Sequence, residues 1–168
     1  MVSAGKGDTG AFEQLVLRYQ TSVWRVAYRF TGNSADAQDI AQIVFLKIFE
    51  AAPRYRTTAL FKTYLFRIVH TTCIDHSRKK RLNAQDDPAE TADGAPSAID
   101  SLIISERDTA VRKSVESLPP RQRSSLLLRY ETGLSVREIS IILKTSEKAV
   151  ERLLARGRDA LSAVLKER

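Results

Sequence analysis

Leu118-Pro119-Pro120-Arg121-Gln122-Arg123, then Leu126-Leu127-Leu128-Arg129-Tyr130, then Ser135-Val136-Arg137-Glu138-Ile139 decide the fold of this 168-residue chain. The paired prolines open a short apolar helix, and Gly133 ends it. Ser135 with Glu138 three residues on has the form of a capping box, in which each side chain satisfies the other's free backbone N–H. A turn at Lys144-Thr145 follows, and Ser146 caps a last helix carrying Lys148, Arg152, Arg156 and Arg158. Val150, Leu153, Leu154 and Leu161 form the apolar stripe of that helix, so Lys148, Glu151, Arg152 and Arg156 project elsewhere. A short capped helix, a tight turn and a basic second helix make a helix-turn-helix, the geometry that seats one helix in a major groove. The ligand implied is duplex DNA, against the plainer alternative of a helical hairpin with a solvated basic face.

Working outward, the apolar residues keep helical spacing almost throughout. Phe12, Leu15, Val16, Tyr19, Val23, Val26, Ala27 and Phe30 predict one helix ended by Gly32. Asn33 or Ser34 caps the next, which buries Ala37, Ile40, Ala41, Val44, Phe45 and Ile48 and stops before Pro53. A third runs from about Leu60 towards Lys80 with Leu60, Phe61, Tyr64, Leu65, Ile68, Val69 and Thr72 on its apolar face, ending in Arg78-Lys79-Lys80-Arg81. Periodicity then vanishes over 82–97, which reads as an acidic flexible linker. A further helix starts near Ala98 or Asp100 and stops before Pro119. The class is all-α, in two small helical domains: 1–81, then, after the linker, 98–168.

Charge follows the same division. The chain carries a formal net charge of +7. Residues 1–81 hold 13 Lys/Arg against 6 Asp/Glu, residues 82–100 hold 5 Asp/Glu and no Lys/Arg, and residues 101–168 hold 14 Lys/Arg against 9 Asp/Glu. Two basic blocks flanking an acidic spacer point to a polyanion partner, bound through phosphate neutralisation. In the first block Arg54, Tyr55, Arg56, Lys62, Tyr64 and Arg67 interleave rings with cations, a pattern suited to unstacked single strands. The alternative is that the rings are core and the arginines solvated.

Other chemistries find little support. There is no Gly-rich phosphate loop, nucleophile elbow or HExxH motif, so no catalytic residues and no cofactor are expected. His70, Cys73 and His76 drift around their helix at three-residue steps, and no second ligand cluster accompanies them, so no metal is expected. Asp36 and Asp39 near a helix start are explained by the helix dipole. No run of eighteen apolar residues occurs, so no membrane insertion is expected. The lone Cys73 and the lack of a signal-like N-terminus suit the cytoplasm.

Taken in order, these segments resemble the bacterial extracytoplasmic-function (ECF) sigma factors. The match runs through Gly7-Asp8, Ala11-Phe12, Leu15-Val16, Arg18-Tyr19 and Ala27-Tyr28, then Asp36-Ala37-Gln38-Asp39-Ile40 and Gln42-Ile43-Val44-Phe45. It continues through Phe61–Ile68, Ile74-Asp75 and Arg78-Lys79 to Leu118-Pro119, Arg121-Gln122-Arg123, Glu138-Ile139, Val150, Arg156-Gly157-Arg158 and Leu161. The resemblance implies a non-catalytic subunit that docks on core RNA polymerase and selects promoters. It implies docking on the β′ clamp helices by Asp36, Asp39, Ile40, Gln42 and Phe45. It implies reading and melting of the −10 element by Arg54, Tyr55, Arg56, Lys62, Tyr64, Arg67, Thr71, Arg78 and Lys79. The −35 duplex falls to Arg137, Ser146, Lys148, Glu151, Arg152 and Arg156, and an anti-sigma factor is expected as a further partner. Four places depart from the family pattern: Ile43 for a usual Glu, Tyr64 for a common Trp, Thr71 for a frequent Asn, and Glu147-Lys148-Ala149 for a small Gly-containing turn. A conventional helix-turn-helix regulator and a nucleic-acid enzyme are the competing classes. The first lacks a reason for the docking-helix match, and the second lacks visible catalytic carboxylates or metal ligands.

Overall fold

The computed structural model describes residues 1–56, 60–86 and 113–166, and among these every regular element is helical. A short α1 (Val2–Gly5) leads into α2 (Thr9–Thr31), whose first turn is capped by the Asp8 carboxylate accepting from Ala11 N at 2.9 Å. Gly32, left-handed at φ 72°, stops it. Asn33 caps α3 (Ser34–Ala51) by accepting from Asp36 N, and Pro53 converts its exit into a 3-10 turn, Ala52–Arg54. The long α4 (Phe61–Asp86) completes the N-terminal unit.

Two expectations for α4 need correction. It does not end at the 78–81 basic cluster but runs on to Asp86, so the first residues of the segment read as linker, 82–86, are helical. Nothing but a change in composition marked an end there, and straight-chain and amide residues continue a helix readily. Leu60, placed on the apolar face, stands 70% exposed because it precedes the first turn rather than joining it. The rest of the expected linker, 87–97, and the start of the next helix lie outside the described residues.

The C-terminal unit opens on a helical turn at 113–116 and continues with α5 (Pro120–Tyr130), α6 (Val136–Leu143) and α7 (Glu147–Lys166). Both halves of the capping box are present: Glu138 N donates to Ser135 Oγ, and Ser135 N donates to Glu138 Oε2 at 2.8 Å. Lys144 turns the chain in the left-handed region at φ 49°, and Ser146 Oγ accepts from Ala149 N to start α7. Gly157 is buried where α7 crosses α5, and a Cβ there would lie 2.8 Å from Leu126 Cδ1. The Arg156-Gly157-Arg158 motif thus has a packing reason: only a bare backbone lets the two helices approach this closely.

The core of the first unit is Val23, Val26, Ala27, Ile40, Val44, Ile48, Leu65, Phe66, Val69 and Cys73. The second buries Leu126, Leu127, Leu128, Leu134, Ile139, Val150 and Leu154. Each large side chain so buried contributes roughly 1.5–3 kcal/mol. Burial pushes the Cys73 thiol up to about 12, so it behaves as a small core hydrophobe. The buried apolar residues of the two units form one continuous cluster, and α2 and α4 pack against α5 and α6.

Candidate nucleic-acid interface

On α7 the stripe divides as the spacing predicts. Val150 and Leu154 are buried and Leu153 and Leu161 half-buried, while Lys148, Glu151, Arg152 and Arg156 are all exposed. Lys148, Arg152 and Arg156 stand four residues apart and so share one face. Ser146, also exposed, holds the start of the helix rigid, and Arg137 is exposed on α6. The geometry offers a row of long donors suited to phosphates and guanine edges, carried on a helix whose entry is fixed.

The N-terminal candidates are built differently. Tyr55, Phe61 and Tyr64 are half-buried and pack edge-on, with Tyr55–Tyr64 centroids 5.2 Å apart and Tyr55–Phe61 6.1 Å apart. Tyr19 of α2 extends the group by packing on Phe61 at 5.5 Å. The Arg67 guanidinium sits 5.4 Å from the Tyr64 ring centroid. Burial, with Tyr64 alongside, raises the Tyr55 pKa, so its hydroxyl stays protonated and neutral. Arg54 and Arg56 flank the rings in the open, as does Lys79 further along α4. Arg78 pairs with Asp75 at 3.3 Å, and the Thr71 hydroxyl donates back to its own helix at Arg67 O and Ile68 O. Lys62 is not free: its ammonium donates to the carbonyl of Thr132, in the other unit.

The docking candidates on α3 split. Asp39 and Gln42 are exposed. Ile40 is fully buried and Phe45 half-buried, so Ile40 supports the face from beneath. Asp36 is engaged by α4, with His76 at 3.4 Å and Lys80 at 3.0 Å. What the spacing also held, unnoticed, is a second apolar stripe. Ile43, Leu46 and Phe49 are 41%, 57% and 53% exposed and continue the line of Asp39 and Gln42 at three- and four-residue steps. Phe12 braces Phe49 edge-on at 5.1 Å. A helix apolar on one face and again, beside a polar pair, on the other was the available signal. His70, Cys73 and His76 diverge: His70 meets Ser124, Cys73 is core and His76 meets Asp36.

Residues 15–82 match Sigma-70 region 2, and residues 108–161 match Sigma-70, region 4. The RNA polymerase sigma-H factor of Pseudomonas aeruginosa is 32% identical over 171 residues, covering 95% of this chain and 89% of that protein. The ECF RNA polymerase sigma factor SigW of Bacillus subtilis is 30% identical over 174 residues, with 96% and 92% covered. This chain belongs to the ECF sigma factors. As a sigma factor it directs transcription initiation and is not an enzyme. Among solved structures, CnrH in complex with the cytosolic domain of CnrY superposes with a TM-score of 0.75 at 26% identity, covering 98% of this chain and 94% of CnrH. The sigma factor RpoE of Bartonella quintana, in complex with the anti-sigma factor NepR, shares the fold with a TM-score of 0.79 at 19% identity, over 93% and 97%. Among the described residues of this sigma factor, no helix is long and apolar enough to cross a membrane.

Proposed function

We propose that this sigma factor docks on the β′ clamp helices of core RNA polymerase through the outward face of α3. Asp39 and Gln42 supply the polar rim and Ile43, Leu46 and Phe49 the apolar centre. Residues 1–81 form the unit that binds polymerase and handles the −10 element; residues 98–168 form the unit that reads the −35 element; residues 82–97 and their neighbours join them. Arg54, Tyr55, Arg56, Tyr64, Arg67, Thr71, Arg78 and Lys79, with Lys62 once released, give the separated −10 strand rings to stack on and cations to follow. Arg137, Ser146, Lys148, Glu151, Arg152 and Arg156 face the −35 duplex. The protein works in the cytoplasm, where polymerase and promoter are, and an anti-sigma factor restrains it. Support for that last partner is the shared fold with RpoE, whose structure contains NepR.

The observation that carries this reading is the exposed stripe Ile43-Leu46-Phe49 beside Asp39 and Gln42. Large apolar side chains grouped outside the core mark a protein-docking site, and aromatics with a polar rim are how such sites are built. The test is co-purification with core RNA polymerase, followed by run-off transcription on genomic fragments. Asp39→Arg should weaken polymerase binding and leave the far-UV spectrum and thermal melt near wild type. Unchanged binding by the variant, or no association of the wild-type chain, would sink the docking assignment.

A further inference from the structure

The short helix α1 meets the turn that carries Tyr55, and the contact runs through Gly5. α1 packs against the 3-10 turn Ala52–Arg54. None of its four residues is buried, so it adds little to the core. Its seat is nevertheless fixed, because Asp8 N donates to Ser3 O at 3.3 Å and the Asp8 carboxylate then caps α2 through Ala11 N. A Cβ at Gly5 would run into the Ala52 carbonyl oxygen, and would stand 3.0 Å from the carbonyl carbon and 3.6 Å from Pro53 Cα. These are backbone atoms, which cannot swing aside as the end of a long side chain can, so only glycine permits the approach. The same Ala52 carbonyl oxygen accepts from Tyr55 N at 3.2 Å, the hydrogen bond that closes the turn. Beyond it the Tyr55 ring leans on Tyr64 and Phe61 of α4, and Phe61 leans on Tyr19 of α2. Tyr55 is thus held at two points: its ring by neighbouring rings, and its backbone by the carbonyl that α1 covers.

We propose that Gly5 is a positioning residue for strand opening: its bare backbone lets α1 seat on the Ala52 carbonyl and so fixes the backbone from which the Tyr55 ring projects. The proposal rests on the −10 reading given above. A stacking surface for separated bases serves best when its rings are already in place as the strand arrives, and groups on regular elements are held more precisely than groups on turns. Tyr64 stands on the long helix α4, whereas Tyr55 follows a three-residue turn. Tyr55 is therefore the ring that needs support from outside its own segment, and α1 supplies it. Alanine at Gly5 forces α1 off the turn, since neither Ala52 nor Pro53 can yield at its backbone. The turn then keeps its sequence but loses its backing, and the Tyr55 N–H bond to Ala52 opens more often. Gly5 lies in neither the exposed stripe of α3 nor the basic face of α7, so polymerase docking and −35 binding are spared.

The test uses the full chain, alone and with core RNA polymerase, as wild type, Gly5→Ala and Gly10→Ala. Gly10→Ala is the control, because a Cβ at Gly10 meets Asp8 Oδ1 at 3.4 Å, an ordinary contact. Amide exchange at Tyr55, resolved by NMR, reads the support without DNA. It should run about fivefold faster or more in Gly5→Ala and stay at the wild-type rate in Gly10→Ala. Permanganate reactivity at −10 thymines should fall about threefold or more in Gly5→Ala. Its affinities for polymerase and for a −35 duplex should stay within about twofold of wild type, with a melting temperature near wild type, as for a surface change. Unchanged Tyr55 exchange in Gly5→Ala overturns the proposal. So does a general loss, in which polymerase binding and melting temperature fall along with opening, since Gly5 would then serve the fold rather than the ring. Tyr55→Ala checks the reading beneath. If Tyr55→Ala abolishes opening while Gly5→Ala opens normally, the positioning role is wrong and the −10 reading stands. If Tyr55→Ala opens promoters normally while Gly5→Ala speeds Tyr55 exchange, α1 does fix the Tyr55 backbone and the −10 reading is wrong.

Discussion

In the C-terminal unit, Lys148, Arg152 and Arg156 project freely from a helix anchored on Val150 and Leu154. In the N-terminal unit, Tyr55 and Tyr64 lean on each other, half-sunk into the surface, with the exposed Arg67 beside the Tyr64 ring. The difference fits the two targets proposed for them. A duplex hides its bases in a groove, so the reader must be a narrow rod with long side chains. A separated strand offers flat bases, so the reader must be a surface with rings held in place. The same contrast separates α7 from α3. Both are amphipathic helices with an exposed second face, but that of α7 is cationic and that of α3 carries Ile43, Leu46 and Phe49. Charge on one and apolar surface on the other are the grounds for proposing nucleic acid as the partner of α7 and protein as the partner of α3.

The sharpest way to break that assignment is to exchange the chemistry of the faces. Leu46→Asp places a charge at the centre of the apolar stripe without entering the core. Loss of a central apolar anchor costs about 2 kcal/mol or more at a protein interface, so polymerase affinity should fall roughly 30-fold or further. Binding to duplex DNA and the melting temperature should hardly move. Titration of labelled sigma factor into core polymerase reads the first, and a fluorescence melt the last. A variant that still binds polymerase as wild type would mean α3 does not dock.

The two proposed DNA readers can be separated next. Arg152→Ala should cost about 1–3 kcal/mol in promoter binding if Arg152 contacts a base edge. If it touches only phosphate, the loss is similar for every sequence and the log–log salt slope falls by about one. Tyr55→Ala should spare duplex binding and impair strand opening, seen as lost permanganate reactivity at −10 thymines. A Tyr55→Ala protein that opens promoters normally would remove the stacking role of the aromatic group.

Within the C-terminal unit, Gly157→Ala tests why the Arg-Gly-Arg motif is built as it is. Alanine would gain about 1 kcal/mol in helix propensity. Against that, its Cβ would press on Leu126, and overpacking typically costs about 1–3 kcal/mol. The net should be a destabilisation of about 1 kcal/mol, read as a lower melting temperature with the far-UV spectrum kept. A rise in melting temperature would show that Leu126 yields freely.

The helices and their caps were legible because they rest on local chemistry. Ser135 and Glu138 close their box within one turn, and Gly32 and Gly133 both sit at positive φ where the apolar period breaks. The exposed basic face of α7 was legible for the same reason, since the 3.6-residue period alone separates Val150 and Leu154 from Lys148 and Arg152. What escaped is what depends on distant chain. The partners Thr63 and Glu138 are 75 residues apart, and Lys62 and Thr132 are 70 apart, so no local pattern announces them. Lys62 reads in the sequence as a cation for a single strand and Asp36 as a carboxylate held by its helix dipole; the packing of α4 adds the Thr132 carbonyl as partner to the first and Lys80 to the second. The end of α4 escaped for another reason: the acidic stretch after Arg81 changes in composition before it changes in conformation.

The smallest effect concerns acidity at His70, where α4 meets α5. His70 is pulled from 6.5 down to about 4, first by burial and then by the positive charge of Arg121. The folded chain therefore holds a neutral imidazole, while unfolding returns His70 to water and to its ordinary value. Between pH 6.5 and about 4 the unfolded chain binds more protons, so stability falls with pH across that window; above pH 6.5 His70 contributes no pH dependence. At pH 6 the loss amounts to about 0.8 kcal/mol, and at pH 7.5 to essentially nothing. The melting temperature should therefore begin to decline as pH drops below 6.5. In His70→Asn, which cannot titrate in this range, that part of the decline should be absent. A melting temperature that fell equally in both proteins would assign the acid sensitivity to other groups and leave His70 as a packing residue between α4 and α5.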